Sequence, residues 1–415
     1  MATYSSKKYP SGSVTSATLA DGTIVAVDLA SDSVTSAKIA DAAITNAKLA
    51  ADGFDASKFT TGTLPIARVA DGAVTAAKLS NAGAELGMRN RIINGDMRID
   101  QRNAGASVTP ANVDFTLDRW KIGASVASKF SVQQNSGSVT PPAGFINYLG
   151  CVSLSAYSVG SGESFFIRQQ IEGLNTGDLA WGTASAATVT LSFWVRSSLT
   201  GTFGGVVKNS DATRSYPFSY AISSANTWEQ KSVTIAGDTS GTWLTTNDIG
   251  IGLTFGLGVG STVSGTAGAW AAANYNSATG ATNVVATSGA TFYITGVQLE
   301  KGSTATSFDY RPYGTELILA QRYYEETNNN RSVEFQIHAT TNGLMSTRFL
   351  VRKRVSPTVT VFSSNTGVAG TVNNGNGNVQ TGINGYAVYP DCFAVQMAGT
   401  VSQVYTYFFT ASAEL

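Results

Sequence analysis

Trp181, Trp243, Trp270 and Tyr275 lie in segments rich in Gly, Ala, Thr and Asn, where turns are expected and a ring can reach solvent. An exposed ring offers a flat face to the C–H face of a pyranose, and neighbouring Asn and Gln side chains can fix the hydroxyls. These four aromatics are therefore candidates for holding a sugar. Trp120, Trp194 and Trp228 stand in or beside strand-like runs and read as packing residues. Arg348, Arg352, Lys353 and Arg354 form the densest basic group in the chain. An Arg fork matches carboxylate or phosphate with two parallel hydrogen bonds, so Arg348, Arg352 and Arg354 are candidates for contacts to an anionic glycan. The competing reading is a charged strand edge that discourages pairing with other chains, or an intersubunit salt-bridge rim.

Catalysis has less to work with. His338 is the only histidine, and it sits in the alternating run Glu334–His338, as a strand residue would. Any Ser-His-Asp or Cys-His arrangement within one subunit would need it. Neither a histidine cluster nor a Cys-x-x-Cys pair is present, so no metal centre of that kind is expected. Carboxylates from separate strands could still converge to cleave a polysaccharide, although no local motif names a pair. Cys151 and Cys392 are the two cysteines and fall in different expected domains, which predicts free thiols rather than a disulfide. The expectation is a protein with no catalytic residue, no metal and no cofactor.

The 27 basic residues balance 27 acidic ones, and only 13% of the chain is charged. No overall field draws it to nucleic acid or to an anionic membrane. The most apolar run, Ile249 to Val263, is broken by repeated glycines and is strand-like, so no membrane insertion is expected. Met1 to Pro10 lacks the apolar core of a signal peptide, so export by a signal peptide is not expected, while release by cell lysis stays open.

The elements that must position these residues are mainly β. At 415 residues the chain has room for two or three domains. The first is a repeat: from Ser11 to Ser80 a large apolar residue returns every five positions, at Val14, Leu19, Ile24, Leu29, Val34, Ile39, Ile44, Leu49, Phe54, Phe59, Leu64, Val69, Val74 and Leu79. A step of five matches neither a helical turn nor a strand face, so the chain must turn about once per step. So sparse an apolar series falls short of the entropy of ordering the segment. Several identical chains sharing one axis would supply the missing burial, which describes a fibrous shaft. A monomeric solenoid of five-residue turns stays open, with Ala17, Ala37, Ala47, Ala67 and Ala77 as its small inward residues; Asp32 and Asp52 would fall on that same inward row, at a cost.

After a linker at 81–87, short strand-like runs parted by Gly, Ser, Asn and Asp predict an antiparallel β-sandwich. Its clearest strand is Thr188–Arg196; others are expected at Ser164–Ile171, Trp228–Ile235, Ile249–Phe255 and Thr291–Leu299. Leu317, Ala320, Gln321 and Tyr324 fall at helical spacing and predict a connecting helix between Thr315 and Glu326. Strands at Val333–Ala339, Arg348–Arg352, Pro357–Phe362, Phe393–Ala398 and Tyr405–Thr410 predict a smaller all-β domain, with Asn373–Gly385 as a loop.

The run Arg89-Asn90-Arg91-Ile92-Ile93-Asn94-Gly95-Asp96-Met97, with Gln101-Arg102 and Leu117-Asp118-Arg119-Trp120, resembles the start of a domain common in bacteriophage tail fibres. Ile294-Thr295-Gly296-Val297-Gln298-Leu299-Glu300-Lys301-Gly302, followed by Ala305-Thr306 and Glu316–Tyr324, resembles its end. The resemblance covers about Met88 to Tyr313 and implies a jelly-roll sandwich similar to carbohydrate-binding modules. It also brings in a structural calcium, with Asp96 or Glu300 as oxygen ligands. Read as residues, Asn94-Gly95-Asp96 is a turn, and Asp118 and Arg119 are expected to pair beside Trp120. The C-terminal stretch looks like the distal tip of such fibres, and fibre shafts carry repeats similar to Ser11–Ser80.

The expected organisation is an attachment segment at 1–10, a repeat shaft at 11–80, the linker at 81–87, a jelly-roll domain at 88–314, a connecting helix at 315–327 and a β tip at 328–415. The function this implies is that of a homotrimeric phage tail fibre on the exterior of the virion. It would dock on a tail or particle adaptor through its N-terminus and bind a bacterial surface glycan during adsorption. A capsid or baseplate spacer without a receptor role, and a polysaccharide depolymerase, are the alternatives.

Overall fold

Alternating apolar and polar residues lay down most of this molecule as strands. The computed structural model describes residues 88–327, 332–336, 343–375, 377, 379–381, 385–397 and 403–415, all within one compact unit, Thr75–Leu415. The repeat shaft, the 81–87 linker and His338 lie outside the described residues.

The larger part contains β1 (Val113–Phe115), β2 (Lys121–Ala124), β3 (Phe130–Gln134), β4 (Leu149–Ser153), β5 (Ser164–Glu172), β6 (Val189–Ser197), β7 (Gly201–Lys208), β8 (Ser215–Ile222), β9 (Glu229–Ile235), β10 (Ile249–Val259), β11 (Ser264–Gly265), β12 (Ser277–Ala278) and β13 (Thr291–Lys301). Two sheets result, ordered β1-β2-β5-β10-β7-β8 and β3-β4-β13-β6-β9, and a short pair, β11-β12. The two sheets are antiparallel throughout. On β6 the inward residues Val189, Leu191, Phe193 and Val195 are fully buried. The Phe193 ring meets Phe255 of β10 at 5.0 Å and Tyr220 of β8 at 4.9 Å, both edge-on. Side chains of the two sheets thus interdigitate in one core, as in a β-sandwich. The strands expected from alternation coincide with β5, β6, β9, β10 and β13, and β10 continues beyond its expected end to Val259.

A helix, α1 (Tyr313–Gln321), leads into the smaller part, made of β14 (Tyr324–Glu326), β15 (Val333–Gln336), β16 (Gly343–Arg348), β17 (Thr358–Ser363), β18 (Thr371–Asn374), β19 (Val379–Thr381), β20 (Gly385–Val388), β21 (Cys392–Met397) and β22 (Val404–Ser412). β22 is its central strand and pairs with β14, β15, β17 and β18. Its alternation is unbroken: Tyr405, Tyr407, Phe409 and Ala411 are buried with Phe335, Val361, Val372 and Phe393 in a second core. β16, β21 and β20 form a separate three-stranded sheet.

Three expectations about this part change. The helix starts and stops earlier than its spacing predicts, because Tyr324–Glu326 pairs with β22 instead of continuing the helix. Arg348–Arg352 is not a strand: β16 ends at Arg348, and the chain then turns to bring Lys353 inward. Asn373–Gly385 is not a loop throughout, since β18 and β19 pair within it across an Asn/Gly-rich turn and Gly385 opens β20.

The motifs at the two ends of the sandwich meet. Asn94 takes a left-handed φ of 59°. Its carboxamide accepts from Ile99 N at 2.9 Å and donates to Ile99 O and Asp118 O at 2.8 and 3.0 Å. Its carbonyl accepts the Trp120 indole N–H at 2.9 Å. Asn90 donates to Val297 O at 3.0 Å, and its Oδ1 accepts from Leu299 N at 3.1 Å. Ile93, Ile99, Ala320 and Tyr323 pack as a small apolar cluster beneath α1, and Arg311 pairs with Glu316 at 3.1 Å. The expected Asp118–Arg119 pair does not form. Asp118 accepts from Gln101 N at 2.7 Å. Arg119, at a left-handed φ of 71°, turns its guanidinium away to Glu414 and over the Tyr323 ring, 3.6 Å from its centroid.

Among the described residues no helix is long and apolar enough to cross a membrane. Cys151 is buried and Cys392 half-buried, both free; burial pushes the Cys151 thiol well up.

Candidate ligand-binding site

The outward residues of β6 decide where a ligand could sit. Val189 to Val195 point their odd-numbered side chains inward, so Ser192 and Trp194 stand on the outer face of the five-stranded sheet. β9 places Gln230 directly beside Trp194. On the other side β13 bulges: Thr295 pairs with Trp194 and Gln298 with Ser192, so Gly296 and Val297 together oppose the single residue Phe193. Val297 N donates to Gly95 O at 2.9 Å, and a Cβ on Gly95 would lie 2.2 Å from Val297 O. The Asn94-Gly95 turn therefore holds the bulge by backbone contact that only Gly permits.

Gly296 has a φ of 61°, and a Cβ there would approach the Phe145 ring to 2.6 Å and the Trp194 indole to 3.2 Å. Its missing side chain is the floor of a cavity of about 240 Å³ walled by Phe145, Trp194, Phe308 and Tyr310, with Ser192 and Gln230 as polar lining. The rings brace one another: Phe145 lies 5.2 Å from Phe308 and 5.5 Å from Tyr310, and Phe308 lies 4.9 Å from Tyr310. The Tyr310 hydroxyl donates to Gly144 O, while half of the residue remains exposed, at 50%. Thr295 anchors the same loop through Asn147 O at 2.7 Å. Among the described residues the Ser192 hydroxyl and the Gln230 carboxamide have no hydrogen-bond partner, so both remain available to a ligand. Beside it Trp228 packs on the buried Tyr148 at 5.6 Å, and Tyr148 on the buried Tyr293 at 5.2 Å.

The aromatics nominated by the sequence lie elsewhere. Trp181, Trp243 and Trp270 do come together, at centroid distances of 4.7, 5.4 and 5.4 Å, all edge-on. Trp181 is buried at 7% exposure, and the indole N–H groups donate to Ala187 O, Ser240 O and Ala236 O. The space beside Trp181 and Trp243 is about 20 Å³, room for a water and not for a sugar. The trio plugs the sandwich. Tyr275 is half-buried, with its ring packed over Gly265, where a Cβ would lie 2.3 Å from it.

The basic group divides in space. Arg348 and Arg352 line a cavity of about 390 Å³ with Phe349, Asp391 and Cys392, and Arg352 pairs with Asp391 at 3.1 Å, both well exposed. Lys353 points the other way: wholly buried, it donates to Gln321 O at 2.6 Å and to Glu325 at 2.5 Å. Arg354 donates to Asn247 O at 2.7 Å and to Ala413 O and Glu414 O at 3.0 Å each, tying the small domain to the sandwich. A contiguous basic patch does not exist on this surface. Of the two acids that the resemblance offers to calcium, Asp96 pairs with Arg98, and Glu300 accepts from Gln298, Thr306 N and the Thr306 hydroxyl at 2.9, 2.8 and 2.7 Å. Among the described residues no three His, Cys, Asp or Glu side chains converge on a metal position.

The strand around Trp194 suggests packing, although its place in the alternation puts it on the outer face. Phe145, Phe308 and Tyr310 carry no such local signal; three loops bring them together.

No protein-family model matches the chain, and no curated protein matches it. Solved structures do. The enzymatically active domain of bacteriophage CBA120 tailspike protein 4 matches with 11% identity and a TM-score of 0.28, covering 52% of this chain and 22% of that one. The module TmCBM61 in complex with β-1,4-galactotriose matches with 10% identity and a TM-score of 0.26, over 52% of this chain and 100% of the module. A family 11 carbohydrate-binding module of a Clostridium thermocellum cellulosomal cellulase matches with 12% identity and a TM-score of 0.24, over 49% and 99%. The chain thus spans about a fifth of the tailspike domain and nearly the whole of the two modules.

Proposed function

We propose that this protein is a bacteriophage fibre that adheres to a host-surface glycan, holding one neutral pyranose in the Trp194 pocket of a jelly-roll sandwich. The observation that carries the reading is the hollow over Gly296, an aromatic-walled pocket with a free hydroxyl and a free carboxamide at its rim. Aromatic faces take the C–H face of a sugar ring, and Ser192 and Gln230 supply the hydrogen bonds that fix its hydroxyls. All the lining side chains are uncharged, which favours a neutral sugar. At about 240 Å³ the pocket is small beside ordinary ligand sites of roughly 300–1,000 Å³, so a single site binds weakly.

Weak sites become effective in number. In this reading the Ser11–Ser80 repeat assembles three chains into a shaft, residues 1–10 dock on a tail or particle adaptor, and three sandwiches present their pockets together outside the virion, gaining avidity through linkage. The activity is adhesion without turnover. Hydrolysis of a glycosidic bond uses two carboxyl groups, whereas the side chains round this pocket are aromatic, hydroxyl and carboxamide. No metal or cofactor has a part in it.

The test is a glycan array probed with the full-length protein and with Trp194→Ala, followed by competition of purified protein against phage adsorption. A neutral glycan retained by the parent and lost by the variant, together with blocked adsorption, is expected. Particles lacking the protein that still adsorb normally would make it a spacer, and release of reducing ends from host polysaccharide would make it a hydrolase.

A further inference from the structure

The six-stranded sheet carries two cations that no carboxylate neutralises. Arg168 on β5 and Lys208 on β7 both project from its outer face, beneath the segment that runs from β11 to β12. Lys208 is buried at 7% exposure, and its ammonium donates to Asn274 Oδ1 at 3.0 Å and Asn276 Oδ1 at 2.9 Å. Arg168 donates through Nε to the Thr254 hydroxyl at 2.8 Å and through Nη2 to the same Asn276 Oδ1 at 3.2 Å, while its guanidinium lies over Phe166. Two positive groups therefore converge on one neutral amide oxygen. Lys121 is paired in register with Arg168 but turns its ammonium to Leu415 O at 3.4 Å. Among the described residues neither Arg168 nor Lys208 forms an ion pair. The carboxylates at this end of the molecule are engaged elsewhere, Glu172 by Arg322 and Tyr323, and Glu414 by Arg102 and Arg119.

Burying charge without a counter-charge is costly, and the surroundings are unfinished in other ways. Gln170 Oε1 and Ser277 Oγ, on the same face, are buried without partners. Between Gln170 and Lys208 lies Gly252, itself buried, where a Cβ would meet only Lys208, at 3.7 Å. Burial, followed by the charge of Arg168, pulls the Lys208 amine down to about 7, and burial pulls Arg168 down to about 10.

We propose that Arg168 and Lys208 form a receptor for one oxyanion, the carboxylate or phosphate group of an acidic saccharide, seated above Gly252. An anion there supplies the missing charge, and the unpartnered Gln170 Oε1 is placed to accept from a hydroxyl beside it. The site stands on the other sheet and on other residues than the Trp194 pocket, so either can fail without the other.

The experiment is calorimetric titration of the full-length protein with an oligogalacturonate, the matching neutral galactose oligomer, and inorganic phosphate. Oligogalacturonate affinity is expected to fall about tenfold or more in Lys208→Gln and in Arg168→Gln and to be largely retained in Lys208→Arg, with neutral-oligomer binding unchanged in all three. Trp194→Ala should show the reverse pattern. Since a charged Lys208 is required, binding to the parent should weaken as pH rises from 6 to 9, and bound anion should slow acylation of the Lys208 amine, which can be read in the parent protein even if a variant misfolds. Phosphate that binds and protects Lys208 while oligogalacturonate does not would support the anion site with a free ion as its source. If neither probe protects Lys208, or both bind the Lys208→Gln/Arg168→Gln double variant as they bind the parent, the proposal is overturned.

Discussion

Trp194 and Gly296 face each other across β6 and β13 so closely that a Cβ on Gly296 would lie 3.2 Å from the indole. The pocket therefore exists because one residue of the bulge has no side chain. Gly296→Ala would place a methyl group against Trp194 and Phe145 and force an L-residue into a left-handed backbone at about 1–2 kcal/mol. Loss of neutral-glycan binding with only a modest fall in Tm is expected, measured by calorimetry and thermal melting. Unchanged binding would place the sugar elsewhere.

Gly95 tests the support beneath that pocket. Its Cβ would meet Val297 O, a backbone atom, at 2.2 Å, which no rotamer change relieves. Gly95→Ala is expected to lower Tm clearly more than Gly296→Ala, because it pushes apart the two chain segments that close the sandwich. A smaller loss than at Gly296 would show that the bulge does not depend on the Asn94-Gly95 turn.

The tryptophan trio and the pocket should separate cleanly. Trp181→Ala removes a buried indole that braces Trp243 and Trp270, and about 3–5 kcal/mol of stability should go with it. At a temperature where the variant remains folded, its glycan affinity should equal that of the parent. A variant of normal stability that no longer binds glycan would return the trio to the list of ligand contacts.

Lys353 and Glu325 are both almost completely buried and form an ion pair at 2.5 Å, with Glu325 also accepting from Leu350 N at 3.1 Å. Lys353→Met leaves the carboxylate without its counter-charge and is expected to destabilise the small domain by about 3–5 kcal/mol in denaturant titration. Glu325→Gln keeps an acceptor for Leu350 and should cost less. Equal losses would mean that the Lys353 ammonium left by Glu325→Gln costs as much unpaired as the carboxylate does.

Asp118 sets the acid side of the stability profile. Burial is the main cause that raises its carboxyl from 3.8 to about 7. The folded state then holds a proton that the unfolded state has released, so this group's contribution is full below about pH 4 and is lost as pH rises towards 7. Glu172, held down by Arg322 and Tyr323 against its burial, acts in the opposite sense and only below its ordinary value of 4.5. Between pH 5 and 7 the parent should lose stability with rising pH, and Asp118→Asn should flatten that slope in chemical denaturation. A slope identical in both proteins would assign the titration to another group.

Strand identity was legible where the reason for it is local. In β6 and β22 every second residue is apolar, and an alternating strand can bury only one face, so both could be read without knowledge of their neighbours. Asn94-Gly95 was legible as a turn because left-handed backbone favours those two residues. The helix end was not, since Tyr324 leaves helical spacing to pair with Ser412, a partner far along the chain. The run Arg348 to Arg354 misled for a related reason: adjacency in sequence is adjacency in space only along a straight element, and here the chain turns, sending Lys353 to Glu325 and Arg354 to Asn247.

The sequence by itself determined that the sandwich is β, that Trp194 stands on an outward face, and that a five-residue apolar step runs from Ser11 to Ser80. Only the tertiary structure decided that Trp194 shares its face with Phe145, Phe308 and Tyr310, that Gly95 lies against Val297, and that Arg168 and Lys208 converge on Asn276. Periodicity fixes the side of an element on which a residue lies. Which residues meet there depends on strand order, register and bulges, and those are settled by packing between distant parts of the chain.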